Sequence, residues 1–332
     1  MPTFECPHDA LHRAWDNSLP PALTIDTGDI VTFATVDASD GATAPPPWAR
    51  QRPAGDARGR RRPDGGRGHP MCGPIVIQGA RPGDTLVVEV LAIAPYEWGW
   101  TAFRAGGGLL GAEVAERGFT YWDLRGAGGD GNDGGDRRAV PWSSDASRPP
   151  MPARVPMQPF CGVMGVAPAE VGEHSTTPPR AVGGNLDVRG LAPGSTLYLP
   201  VAVDGALFSV GDVHAAQGDG EVCGTGIECG GDVTLRFDIQ RGRRLAAPEY
   251  RTPAQPAPGP RYATTGVAPD LMAASQDAVR AMIAYLQADH GLDAADAYIL
   301  CSVAVDLSIS EVVDTPNWVV SASLPLGVVD SR

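Results

Sequence analysis

The run IVTFATV at 30–36 alternates apolar and polar positions after the turn-forming Thr27-Gly28-Asp29, and predicts a half-buried β-strand. IVIQGARPGDTLVVEVLAI at 75–93 places two apolar runs around Pro82-Gly83-Asp84. That pattern predicts two strands about a tight turn, with Gly83 at positive φ and Asp84 as a turn former rather than a ligand. TLYLPVAV at 196–203 and ALFSVGDV at 206–213 are two more strand-like runs, bounded by glycines. The pattern changes period only near the end of the chain. Between 269 and 290, Ala278, Met282, Tyr285 and Leu286 recur at helical spacing, with Gly291 as a C-cap and Ser275 as an N-cap of the tighter part. DAADAYILCSVAVDLSI at 293–309 predicts a second helical stretch, and WVVSASL at 318–324 a final strand.

Two tracts lack apolar periodicity. Residues 41–68 are rich in Pro, Gly and Arg, and residues 124–150 include Asp-Gly-Asn-Asp-Gly-Gly-Asp at 130–136. Both read as long mobile loops; the second lacks the Glu and flanking helices of a calcium-binding EF-hand. The expected organisation is an N-terminal β-rich region over 1–150, a central β region over 151–250 and a C-terminal α+β region over 251–332.

Composition supports many short strands: 42 Gly, 32 Pro and 6% aromatic residues in 332. The formal charge of −13 disfavours nucleic acid and fits a small neutral or cationic partner. No apolar run approaches membrane-spanning length and no signal-like segment is visible, so the expected location is the cytoplasm. All 26 basic residues are Arg. Without Lys, amide-hydrolysing designs built on Cys-Glu-Lys or Ser-Ser-Lys are excluded, because Arg stays protonated. Schiff-base catalysis and a phosphate-binding P-loop fall with them. The six cysteines are scattered, with no Cys-x2-Cys pair, and read as reduced thiols.

The densest chemistry lies between Gly183 and Glu228, where Asp187, Asp204, Asp212, Asp219, Glu221 and Glu228 surround one imidazole, His214. Spacing alone favours solvated turn acids. A hydrolytic metal site, however, needs this mixture of His nitrogen and carboxylate oxygen. Asp212 and His214 stand at i and i+2, so an extended strand would put both on one face, with Val213 pointing away.

Long blocks here resemble the acetamidase/formamidase family: GGNLDVRGLAPGSTLYLPV at 183–201, GALFSVGDVHAAQGDGEVCGTGIE at 205–228, HPMCGPIVIQGARPGDTLVVEVLAI at 69–93, CGVMGVAPAE at 161–170 and AYILCSVAVDLSISEVVDTPNWVVSASLP at 297–325. The resemblance implies a mainly β protein with a β-sandwich or jelly-roll-like core and an α+β C-terminal portion, assembled as a homodimer or homotetramer. It implies hydrolysis of a short aliphatic amide to a carboxylate and ammonia.

The expected ligands are Asp187, Asp212 and His214, holding a divalent metal, zinc first, with manganese or calcium as alternatives. Glu221, ranked above Glu228, is the expected general base or a fourth ligand, and Asn185 the expected donor to the substrate carbonyl. Asp37, at a strand end in the family's first block, is a lower-ranked site candidate, as are His12 and His69. The family's Gly-Gln pair after that block is absent, since Ala42 follows Gly41. Two rivals remain: a non-catalytic metal- or carbohydrate-binding β-sandwich, and a thiol-dependent amidase using Cys161 or Cys223 on a larger amide.

Overall fold

The computed structural model describes residues 2–49, 68–114, 116–125, 137–143, 150–253, 259–313 and 315–329. In chain order the strands are β1 (Thr3–Glu5), β2 (Leu11–His12), β3 (Leu23–Ile25), β4 (Ile30–Thr35), β5 (Met71–Ile77), β6 (Thr85–Pro95), β7 (Trp98–Phe103), β8 (Gly118–Asp123), β9 (Arg138–Trp142) and β10 (Val155–Pro156). They continue with β11 (Phe160–Val166), β12 (Gly183–Asn185), β13 (Thr196–Pro200), β14 (Phe208–His214), β15 (Glu228–Cys229), β16 (Gly231–Gln240), β17 (Glu249–Arg251) and β18 (Arg261–Ala268). Helices α1 (Leu271–His290) and α2 (Ala294–Ala304) precede β19 (Asp306–Glu311) and β20 (Trp318–Pro325). The protein is therefore mainly β, with its helices near the C-terminus.

The chain forms two compact units, each built from three separate segments. Unit 1 comprises Met1–Tyr96, Pro159–His214 and Cys229–Gln255; unit 2 comprises Glu97–Gln158, Ala215–Glu228 and Pro256–Arg332.

Unit 1 is a β-sandwich. One sheet has the order β1-β4-β16-β6-β13-β17. The other has β12, β11, β14 and β5 side by side, with β2 and β3 also paired to β5. Phe208 of the second sheet meets Phe237 and Phe33 of the first, edge to face, at ring-centroid distances of 5.0 and 6.2 Å. All three rings are fully buried, which places the core between the sheets.

The strand runs read from the sequence are present, but several that follow one another in sequence are not partners. β3 and β4, β5 and β6, and β13 and β14 each divide between the two sheets. The turn at Pro82-Gly83-Asp84 thus carries the chain across the sandwich instead of closing a hairpin. Gly83 has φ 92. Asp84 accepts hydrogen bonds from Gly242 N (3.0 Å), Arg241 Nη1 (2.8 Å) and Arg81 N (3.2 Å). The Gly242 contact, together with the arginine, lowers its carboxyl below the ordinary aspartate range. Asp84 is a turn former, as the motif predicts.

In unit 2, β7, β8, β9 and β10 form an antiparallel run, and β18-β20-β19 form a small sheet packed on α1. α1 buries Ala274, Ala278, Val279, Met282 and Leu286, and Gly291 closes it in the left-handed conformation with φ 67. Its N-cap is Asp270, whose carboxylate accepts from Ala273 N at 2.9 Å, and not Ser275. Ser275 lies one turn inside and donates to Leu271 O at 2.7 Å. The expected helical stretch over 293–309 also divides. α2 ends at Ala304, Val305 is extended (φ −99, ψ 129), and Asp306–Glu311 pairs with β20. Ladder pairing satisfies those backbone groups as a helix would have done, and β-branched Val305 favours it.

The expected loop over 124–150 contains β9, whose residues alternate in burial with Ala139 fully covered. Most of its other residues, including 130–136, and most of the 41–68 tract lie outside the described residues. No described helix is long and apolar enough to cross a membrane.

Candidate active site

The site is built at one end of the second sheet of unit 1. β11 and β14 run antiparallel, with Phe160 opposite His214, Cys161 opposite Val213, and Val163 opposite Gly211. The ladder skips the pair between them, Gly162 and Asp212. Asp212 has φ 57, in the left-handed region, and every residue of β14 is buried. Asp212 and His214 do come together, as their i and i+2 spacing predicts, although the backbone at Asp212 is left-handed rather than extended; Asp212 Oδ1 lies 3.5 Å from His214 Nε2.

Asp187 arrives from β12. Leu186 N and Asp187 N both donate to Gly162 O, at 2.8 and 3.2 Å, and Asp187 also has a left-handed backbone, φ 50. Its carboxylate and that of Asp212 lie over Gly162. A Cβ at 162 would stand 2.5 Å from Asp187 Oδ1 and 2.8 Å from Asp212 Oδ2. Only glycine leaves room for both acids. Aspartate tolerates the left-handed region better than most residues, yet each such residue still costs about 1–3 kcal/mol, and such costs concentrate at functional sites.

Ligand atoms of Asp187, Asp212 and His214 lie within 4.8 Å of one another. Asp212 is 3% and His214 1% exposed. Phe160 packs on the imidazole edge to face, centroids 5.1 Å apart, and fixes the ring plane. Burial raises the Asp187 carboxyl above the ordinary aspartate range; Asp212 raises it further, while His214 and His69 oppose the shift. Two carboxylates and an imidazole, buried this close, are an oxygen and nitrogen donor set for a divalent cation. A cation would also offset the cost of crowding two carboxylates away from water. The residues fit a metal.

The acetamidase/formamidase family matches the chain over residues 3–175 and 169–331, which takes in all three donors and Gly162. This chain belongs to that family. Its members include enzymes that hydrolyse amides, and this chain is an amide hydrolase. A Schizosaccharomyces pombe protein described as a formamidase is 27% identical over 99% of this chain and 92% of its own length. Among solved structures, the γ-lactamase from Delftia acidovorans superposes with a TM-score of 0.80 at 25% identity, covering 97% of this chain and 90% of its own. The acetamidase from Bacillus halodurans has a TM-score of 0.60 at 30% identity, covering 98% of this chain and 97% of its own.

The family's other expected site residues are distributed as follows. His12 does not join the donor cluster. Its Nδ1 donates to Ala14 O at 2.9 Å, which leaves Nε2 to accept from Ser209 Oγ at 2.8 Å. Both nitrogens are used, and burial lowers its pKa to about 4. It links β2 to β14 across Gly73, where a Cβ would meet Ser209 Oγ at 2.8 Å. Asp37 follows β4 and accepts from Ser39 N at 2.9 Å, forming a turn. Glu221 and Glu228 belong to unit 2. Glu221 is left-handed, φ 45, with its N–H on Gly218 O at 3.1 Å. Glu228 is 3% exposed and accepts from Gly226 N at 2.9 Å. Asn185 ends β12 opposite Val163, and His69 leads into β5.

The sequence reading missed Gly162. Its signal was the CGVMGV segment, where a glycine directly follows the candidate thiol Cys161. Cys161 is fully covered, and burial, with Asp212 adding to it, raises its thiol far above the ordinary range. Burial also raises Cys223 to about 11. Neither supplies thiolate near neutral pH. Cys161→Ala and Cys223→Ala are expected to keep kcat within about threefold of wild type. A loss above a hundredfold in steady-state ammonia release would restore the thiol route.

Proposed function

We propose that this chain hydrolyses a short aliphatic amide of the formamide or acetamide type to a carboxylate and ammonia, and that Asp187, Asp212 and His214 hold a divalent metal, zinc first. The observation that carries the reading is the convergence of these buried donors over Gly162. When bound, such an ion supplies Lewis acidity and makes water acidic enough to lose a proton near neutral pH.

The protein's own groups do the rest. The two aspartates would balance the charge of such a cation, each presented from a left-handed backbone. His214 offers an imidazole nitrogen whose ring is held by Phe160. An imidazole in the donor set favours zinc or manganese over calcium, which prefers oxygen throughout. It also favours hydrolysis over the purely binding alternative. A carboxylate must take a proton from water and return it to the departing nitrogen. Glu221 and Glu228 remain the candidates for that role, and E221Q and E228Q assign it by which one loses kcat while keeping its metal.

The γ-lactamase's TM-score of 0.80, against 0.60 for the acetamidase, favours a cyclic amide as second reading. In that case the same groups open a lactam ring and no ammonia is released.

The deciding assay measures ammonia from formamide, acetamide and propionamide, and ring opening of γ-butyrolactam, before chelation, after it, and after zinc or manganese is restored. Release that is lost with chelator and recovered with metal is the expected result. Chelator-indifferent release would remove the metal from the mechanism. Ring opening without ammonia release would transfer the substrate to the lactam class.

A further inference from the structure

Four neighbouring strands of unit 1 present their ends to the donor cluster: β12 finishing at Asn185, β11 starting at Phe160, β14 finishing at His214 and β5 starting at Met71. The central two carry Gly162, Asp212 and His214. The outer two carry His69 and Asn185 at or beside their ends.

His69 is placed by backbone contacts. Its N–H donates to Thr176 Oγ1 at 2.7 Å. The next residue, Pro70, brings its carbonyl so close to Gly211 that a Cβ there would overlap it. Met71 pairs with Gly211, so the antiparallel course of the strands sets His69 alongside the Asp212–His214 end of β14. The influence of His69 on the Asp187 carboxyl agrees with that position. Asn185 lies on the far side, two residues before Asp187 and paired with Val163 beside Gly162.

Each flanking residue carries one buried polar atom with no hydrogen-bond partner among the described residues: Nδ1 of His69 and Oδ1 of Asn185. A buried polar atom left unsatisfied is costly, and such atoms call for a ligand that completes them. The two differ in kind. Oδ1 of Asn185 can only accept, and a neutral imidazole can donate from Nδ1. A primary amide is complementary, with N–H groups to donate and one carbonyl oxygen to accept.

We propose that Asn185 and His69 are a substrate-recognition pair: Asn185 Oδ1 accepts an N–H of the primary amide, and His69 Nδ1–H donates to its carbonyl oxygen. This rests on the amide-hydrolase reading above and deepens it. It also reverses the role expected for Asn185, from donor at the carbonyl to acceptor at the nitrogen. The two contacts leave different kinetic traces. The N–H contact is made in ground state and transition state alike, so its loss raises KM. The carbonyl contact strengthens as negative charge develops on oxygen, so its loss lowers kcat.

The test is steady-state kinetics on acetamide with N185L, H69A, H69Q and H69N, each checked for metal content and melting temperature. In asparagine the amide nitrogen falls near the position of imidazole Nδ1; in glutamine it falls near Nε2. The expected results are a KM about tenfold higher for N185L with kcat unchanged, a kcat about a hundredfold lower for H69A and H69Q, and recovery to within about tenfold in H69N. Metal content should match wild type throughout.

An active wild type with N185L and H69Q both unaffected would overturn the recognition pair and leave the hydrolase reading standing. So would equal losses in H69N and H69Q accompanied by lowered melting temperature, the mark of a structural role. A wild-type chain inert towards every amide would overturn both.

Discussion

Gly162→Ala is expected to remove metal binding and lower kcat/KM for a primary amide by about a hundredfold or more, while the fold survives. The added methyl would stand 2.5 Å from Asp187 Oδ1 and 2.8 Å from Asp212 Oδ2, closer than carbon and oxygen can approach. The carboxylates must swing apart, and a donor set that no longer converges cannot share one ion. Gly162 is not among the positive-φ residues, so alanine brings no left-handed strain, and its two closest clashes are with the carboxylates. Gly165→Ala, one strand face away, is the control. Its methyl would meet Gly184 N at 2.6 Å and the Trp15 ring at 2.9 Å. That clash is with backbone and a packed indole, so the loss should appear in melting temperature. Metal content by atomic emission and thermal unfolding, measured on both variants, separate the two outcomes. Stoichiometric metal and full activity in the Gly162→Ala protein would remove the proposed site.

Asp212 carries the second large effect. Asp212→Asn keeps shape and the left-handed backbone but removes the charge. It is expected to lose metal and about a thousandfold in kcat/KM, with stability held or raised, because a buried amide costs less than a buried carboxylate. Asp212→Ala should lose the same activity and also about 1–2 kcal/mol of stability, since alanine is disfavoured at φ 57. Asp212→Gly should recover that stability without recovering activity. In a domain of this size about 1 kcal/mol moves the melting temperature by roughly 2–4 °C, so scanning calorimetry resolves the three variants. Equal melting temperatures for the Ala and Gly variants would mean that the backbone at 212 carries no strain. Retained metal in the Asn variant would mean that Asp212 is not a ligand.

Much of the scaffold could be read from local pattern. Period-two alternation marks β4, the glycine after proline marks the turn before β6, and helical spacing with Gly291 marks α1. These are short-range effects, settled by φ, ψ and the nearest turn of chain. Ser275 failed as an N-cap because Asp270, one turn earlier, offers its carboxylate to Ala273 N, and nothing local ranks the two before the helix has a start. Val305 ends α2 because β20 offers a ladder, and β20 lies more than ten residues further along.

The donor residues were legible as a family resemblance and as a density of acids around one imidazole. Which acids converge was not. Asp187 and Asp212 stand twenty-five positions apart in sequence, yet both carboxylates lie over one glycine of a third strand. Asp204 and Asp219, equally close to the signature, stay outside the donor cluster.

The sequence by itself thus determined the family, the strand-rich class and the chemical inventory: no lysine, scattered thiols, and carboxylates with a histidine. Tertiary structure alone decided the rest. It set which strand of each pair joins which sheet, turned the backbone of β14 left-handed at Asp212, made Gly162 the floor of the cluster, and left His69 Nδ1 and Asn185 Oδ1 buried beside it. The physical reason is that propensity acts over a few residues, whereas convergence of side chains depends on sheet register and on atoms, such as the missing Cβ of Gly162, that matter only once distant strands lie side by side.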